Sequence, residues 1–80
     1  MITVYGKKGC AKCKAAMDKL SLMGLPFEYV DIAEVGVHRH HPKAVDALAE
    51  SAMRGEQWPM ILADDRWMEY PEAMAYYKGK

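Results

Sequence analysis

Two β-prone runs bracket a single helix-length segment at the N-terminus, and that spacing restricts the fold more than any other feature of the chain. Ile2-Thr3-Val4-Tyr5 ends at Gly6 and reads as a strand by propensity and punctuation. Pro26-Phe27-Glu28-Tyr29-Val30-Asp31-Ile32 reads as a second strand, with proline at its first residue, where a missing N–H is tolerated. Between them Gly9 opens a turn, and residues 11–23 are mostly good helix formers. Met17, Leu20 and Met23 recur there at helical spacing, and Gly24 stands where the helix should stop. Two strands joined by one helix are expected to pair in parallel through a right-handed crossover.

The rest of the chain extends that unit. Residues 33–41 are irregular and hold Gly36 and all three histidines. Pro42 suits a first helical position, and Ala44, Val45, Leu48, Ala49, Ala52 and Met53 then form an apolar stripe that ends before Gly55. Met60-Ile61-Leu62-Ala63 reads as a third strand. Asp64-Asp65 turns it into Arg66-Trp67-Met68-Glu69-Tyr70, an antiparallel partner, and Pro71 opens a last helix through about Tyr77. The expected order is β-α-β-α-β-β-α, an α/β fold with a four-stranded mixed sheet flanked by helices. At 80 residues this is one domain over 1–80, close to the size below which a core needs staples.

Charge narrows the function. Eleven basic and eleven acidic side chains balance, which argues against nucleic-acid binding, and no apolar run approaches a membrane span. The first residues put apolar side chains before the charges, the reverse of a secretory signal, so a cytosolic protein is expected. The balance is uneven along the chain, however. Residues 1–20 carry Lys7, Lys8, Lys12, Lys14 and Lys19 against Asp18, a net +4, and the remainder carries −4. Both cysteines lie in this basic first quarter.

Those cysteines form Cys10-Ala11-Lys12-Cys13, a C-x-x-C at the junction between a strand and a helix. In a cytosolic chain this context reads as a redox pair rather than a structural disulfide. A cysteine just before a helix faces free backbone N–H groups and the positive end of the dipole, which favour a thiolate. One helical turn on, the second sulfur is placed to resolve a mixed disulfide formed by the first. The competing reading is a metal- or cluster-binding module using Cys10 and a loop histidine. It needs further ligands from His38, His40 or His41, yet 24 residues separate Cys13 from His38 and the histidine run lacks the usual gap. No metal site is therefore expected. A solvated loop is the simpler reading of the histidines, and core packing that of the seven methionines and of Tyr76 and Tyr77. A non-catalytic adaptor that keeps only the fold is a third reading.

Val4-Tyr5-Gly6-Lys7-Lys8-Gly9-Cys10-Ala11-Lys12-Cys13 resembles the active-site segment of glutaredoxins and of the related NrdH-redoxins, small members of the thioredoxin superfamily. Leu25-Pro26-Phe27-Glu28-Tyr29-Val30-Asp31-Ile32 is similar to that family's second strand, and Trp58-Pro59-Met60-Ile61-Leu62 to its cis-proline segment. The overall size and long second loop are similar to those of phage-encoded glutaredoxins, which implies action in a host cytosol. The resemblance implies a thioredoxin-like (glutaredoxin) fold and a thiol–disulfide oxidoreductase, with Cys10 the exposed nucleophile and Cys13 the buried resolving thiol. It implies substrate contacts from Lys7, Lys12, Gln57, Trp58, Pro59 and Glu72, with Pro59 cis and the Trp58 backbone offered to an extended substrate. No bound cofactor is implied. Glutathione is the implied co-substrate, ribonucleotide reductase the implied protein partner, and a monomer the implied state.

The chain departs from the glutaredoxin pattern in places. Ala11-Lys12 stands between the cysteines where Pro-Tyr is usual, and Gln57 where a threonine precedes the cis-proline by two. Glu69-Tyr70 stands where Gly-Gly shapes the glutathione site. Trp67, Tyr70 and Pro71 instead resemble a stretch of NrdH-redoxins, which take electrons from thioredoxin reductase. Both reductants stay open at this point.

Overall fold

The computed structural model describes residues 2–32 and 43–78. His38, His40, His41, Gly36 and Pro42 lie outside the described residues, as do Met1 and residues 79–80. The elements run β1 (Ile2–Gly6), α1 (Ala11–Leu22), β2 (Phe27–Asp31), α2 (Lys43–Met53), β3 (Met60–Ala63), β4 (Arg66–Met68) and α3 (Tyr70–Lys78). The four strands form one mixed sheet in the order β2-β1-β3-β4. β1 pairs in parallel with β2, Val4 opposite Tyr29, as one crossover helix requires. β3 runs antiparallel to both β1 and β4.

Strand alternation divides the core into two layers. Ile2, Val4, Ile61, Ala63 and Met68 bury one sheet face together with Ala16 and Leu20 of α1 and Ala73 of α3. Tyr76 and Tyr77 pack onto this layer from α3, as their positions led one to expect. On the opposite face Tyr5, Val30 and Met60 pack with Ala47 of α2, and Trp58, Leu62 and Trp67 flank them. The rings of Tyr5 and Trp67 lie 5.5 Å apart at a tilt, so Trp67 belongs to the α2 side of the sheet.

Turn chemistry fixes the corners. Asp64 and Asp65 both take positive φ, 51° and 59°, the two-residue hairpin geometry whose twist matches the strands. α1 ends in a Schellman motif, with the Gly24 N–H on the Ser21 carbonyl and the Leu25 N–H on the Leu20 carbonyl, each at 3.0 Å. α2 ends the same way one helix later. There the Gly55 N–H meets Ala52 at 3.2 Å and the Glu56 N–H meets Ser51 at 2.6 Å.

Three expectations need correction. The α1 core face is Cys13, Ala16 and Leu20; Met17 is half-buried and Met23 exposed, because Met23 caps the helix where the chain already turns away. The apolar stripe expected on α2 faces solvent among the described residues, with Val45 61% and Met53 75% exposed. Ala47 and Ser51 face the sheet instead, since only small side chains let the helix approach Met60 and Tyr5. Finally, Tyr70 starts α3 rather than ending β4, and Pro71 sits in the first turn of that helix, where no helical N–H is lost.

Candidate functional site

The site starts from a glycine. Gly6 ends β1 directly against the resolving cysteine: a Cβ there would fall 2.7 Å from Cys13 Sγ and 3.2 Å from both Cys13 Cβ and Tyr29 Cε1. The missing side chain lets the strand end close on the sulfur. Gly9, at φ 76°, then swings the chain into α1.

Cys10 occupies the N-cap of α1 with extended backbone, φ −89° and ψ 109°. Its Sγ accepts from the Cys13 backbone N–H at 3.2 Å, taking the place of the oxygen that usually caps a helix. No acidic residue lies in the first turn of α1, so nothing there opposes a negative charge on Cys10. The two thiols are free in this structure; Cys10 is half-buried and Cys13 only 2% exposed. Burial pushes the Cys13 thiol up to about 12, and a hydrogen bond with Cys10 and the charge of Cys10 push the same way. A Lys7 backbone hydrogen bond and the Lys7 charge oppose that shift.

The Trp58–Pro59 bond is cis, and Pro59 is buried. The Cys10 thiol points at the Trp58 carbonyl, 3.9 Å away, so the backbone just before the proline stands beside the reactive sulfur. Gln57 contributes its carbonyl, which accepts from the buried Ser51 hydroxyl at 2.9 Å and ties the segment to α2. Lys7 and Trp58 line one cleft of about 240 Å³ together with Ile32, Leu48, Ser51, Ala52 and Glu56. Lys12 is exposed on the first turn of α1, between the cysteines.

Glu72 lies in the first turn of α3. Its Oε1 accepts from the Arg54 guanidinium at 2.7 Å and from the Glu69 N–H at 3.3 Å, which closes half of a capping box at the start of α3. Those two interactions, the backbone one first, hold its carboxyl below the usual range. Arg54 also reaches Glu69 at 3.0 Å, Glu50 at 3.2 Å and the Trp67 carbonyl at 3.3 Å, and so clamps the end of α2 to the end of β4 and the start of α3. Burial, with the charges of Asp31, Cys13 and Cys10 adding to it, raises the Tyr29 phenol, which marks that ring as a neighbour of the pair. Gly6, Tyr29, Ser51, Arg54 and Glu56 were not marked by sequence reasoning; a glycine just before the cysteine loop was the available signal for the first. Among the described residues no group of three or more His, Cys, Asp or Glu side chains is arranged to hold a metal, and no helix is long and apolar enough to cross a membrane.

A family model described as glutaredoxin matches residues 2–68. Among solved structures, the chain is similar to the glutaredoxin-like NrdH-redoxin of Escherichia coli, with 26% identity, 95% of this chain and 91% of that one covered, and a TM-score of 0.69. That protein is described as having a thioredoxin-like activity profile. A glutaredoxin of Archaeoglobus fulgidus shares the fold at 17% identity, covering 98% and 86% of the two chains with a TM-score of 0.62. No curated protein matches.

Proposed function

The chain belongs to the glutaredoxin family, and on that premise we propose that it is a thiol–disulfide oxidoreductase working through Cys10 and Cys13. The observation that carries the reading is the asymmetry of the pair. Cys10 is half-buried and capped by the Cys13 N–H at 3.2 Å, while Cys13 lies beneath it at 2% exposure.

The Cys10 thiolate attacks one sulfur of a substrate disulfide. The substrate S–S bond breaks as the Cys10–substrate bond forms, and the departing sulfur takes a proton from water. The mixed disulfide then activates Cys13. A bonded Cys10 sulfur carries no charge, so its contribution to the raised Cys13 thiol falls away, while the Lys7 backbone hydrogen bond and Lys7 charge continue to favour the thiolate. Cys13 gives its proton to solvent and attacks the Cys10 sulfur, which releases the second substrate thiol and leaves a Cys10–Cys13 disulfide. The substrate has gained two electrons and two protons. Two electrons from glutathione, or from thioredoxin reductase, restore the dithiol.

The Trp58 backbone, beside the cis bond to Pro59 and next to Gln57, is offered to an extended substrate, and Lys7 and Lys12 offer positive charge to it. Disulfide-containing proteins such as ribonucleotide reductase are the proposed acceptors. The protein acts as a cytoplasmic monomer without a bound cofactor, a nucleic acid or a membrane. The NrdH-type form of this reading, with thioredoxin reductase as donor, is supported by Glu69-Tyr70, which stands where Gly-Gly shapes the glutathione site of glutaredoxins.

Substitution of each cysteine tests the function. Cys10→Ser loses all exchange, whereas Cys13→Ser accumulates mixed disulfides visible by mass and keeps only monothiol turnover with glutathione. An active Cys10→Ser protein refutes the assignment. Assays with glutathione plus its reductase, run beside assays with thioredoxin reductase, decide the donor.

A further inference from the structure

Lys7 does not stand alone in the cleft beside the thiol, because Glu56 lines it as well. Trp58 lines the same cleft and carries the carbonyl 3.9 Å from Cys10 Sγ, so a substrate sulfur at Cys10 brings its flanking atoms to the cleft. Ser51 lines it too, with its hydroxyl given to the Gln57 carbonyl, and the other walls, Ile32, Leu48 and Ala52, are apolar.

We propose that Glu56 is a specificity-determining residue of this site, one that cancels the attraction of Lys7 for anions and favours polypeptide disulfides with apolar or basic flanking residues over glutathione. This rests on the oxidoreductase reading. Glutathione carries two carboxylates and one ammonium near neutral pH, and an anion drawn toward Lys7 meets a second, repelling charge in the same cleft. An apolar or basic residue beside a protein disulfide meets no such penalty and gains contact with the apolar walls.

The backbone holds Glu56 where it stands. Gly55 and Glu56 take φ of 80° and 60° in succession, and the Glu56 N–H closes the helix end onto the Ser51 carbonyl at 2.6 Å. A non-glycine residue there is uncommon, and it fixes the point at which the side chain leaves the chain. The other carboxylates of this region are committed: Glu50, Glu69 and Glu72 all pair with Arg54. Neither Glu56 nor Lys7 has an ion-pair partner among the described residues.

The test compares two substrates in steady state, a small glutathione mixed disulfide turned over with glutathione, and the disulfides of insulin. Glu56→Gln lowers KM for the glutathione substrate about three- to tenfold, the size expected of one charge across a solvated cleft. The kcat changes less than KM, since the thiol pair is untouched. Glu56→Asp keeps the wild-type value, Lys7→Gln raises KM, and the Lys7→Gln/Glu56→Gln protein returns toward it. At about 1 M salt the difference between wild type and Glu56→Gln collapses. Thermal unfolding of each variant establishes that it is folded. An unchanged KM in a folded Glu56→Gln protein, or a shift that persists in high salt, overturns the proposal. Failure of the wild type to turn over either substrate refutes instead the oxidoreductase reading on which the proposal stands.

Discussion

Gly6→Ala asks whether the close approach of β1 to the resolving cysteine is built into the fold. The new methyl would sit 2.7 Å from Cys13 Sγ and 3.2 Å from Cys13 Cβ and Tyr29 Cε1. Comfortable carbon contacts lie at about 3.5–4.0 Å. Cys13 and the strand are both buried, so neither can step aside into solvent. Overpacking of this kind costs about 1–3 kcal/mol. Replacing a strand glycine with alanine returns about 0.5–1 kcal/mol of backbone entropy. Overpacking wins, with a net loss of about 1–2 kcal/mol, or a Tm lower by roughly 5–15 °C for a domain of this size. The decisive assay is a double-mutant cycle by denaturant unfolding. In a Cys13→Ala background the sulfur is gone, only the two 3.2 Å neighbourhoods remain to adjust, and Gly6→Ala becomes nearly neutral. A displaced Cys13 also resolves mixed disulfides slowly, so glutathionylated Cys10 persists longer in Gly6→Ala than in wild type. The reasoning is refuted if Gly6→Ala costs under about 0.5 kcal/mol, or costs the same with and without the Cys13 sulfur.

Three further outcomes follow from the contacts around α2. Arg54→Ala strands Glu50, Glu69 and Glu72 beside one another and loses the Trp67 carbonyl contact; with Arg54 28% exposed, the cost is about 1 kcal/mol, read as a lower denaturant midpoint at low salt. Because Glu72 is held below the ordinary glutamate range of about 4.3, its ionised form stabilises the folded chain. That contribution is complete above the ordinary value and is lost as pH falls below it, so the stability difference between wild type and Glu72→Gln shrinks between about pH 6 and pH 3. Ser51→Ala leaves the Gln57 carbonyl without its 2.9 Å donor at a residue 1% exposed, which costs about 1–2 kcal/mol in thermal unfolding.

How far the sequence led depends on whether a signal is local. The strands were legible because alternation and turn residues are properties of a few neighbours: Val4 and Tyr5 fall on opposite faces, and the Asp64-Asp65 turn sits where the pattern put it. The helices were misread in one way twice. Hydropathy placed Met23 on the core face of α1 and Val45 and Met53 on that of α2, whereas α1 packs through Cys13, Ala16 and Leu20, and α2 through Ala47 and the polar Ser51. Ser51 is polar by type, and its burial makes sense only once its hydroxyl meets the Gln57 carbonyl, a partner six residues away at a bend no periodicity reveals. The cysteine pair was legible for the opposite reason, since its spacing alone brings Cys13 N–H to Cys10 Sγ.

The residues that shape the site around that pair share a property that single positions do not display. Gly6 matters for the atom it lacks opposite Cys13, Arg54 for joining the ends of three elements, and Glu56 for a left-handed backbone at the rim of a cleft. Each works through a contact made by the fold. Glu56 goes further, because it breaks a local preference at φ 60° where glycine or asparagine fits more easily. Chains tolerate such breaks where the position does something besides folding. Glu56 closes the end of α2 through its N–H on the Ser51 carbonyl and at the same time shares a cleft with Lys7, next to the Gln57–Trp58–Pro59 segment, so one residue serves both the helix end and the cleft where substrate choice is proposed.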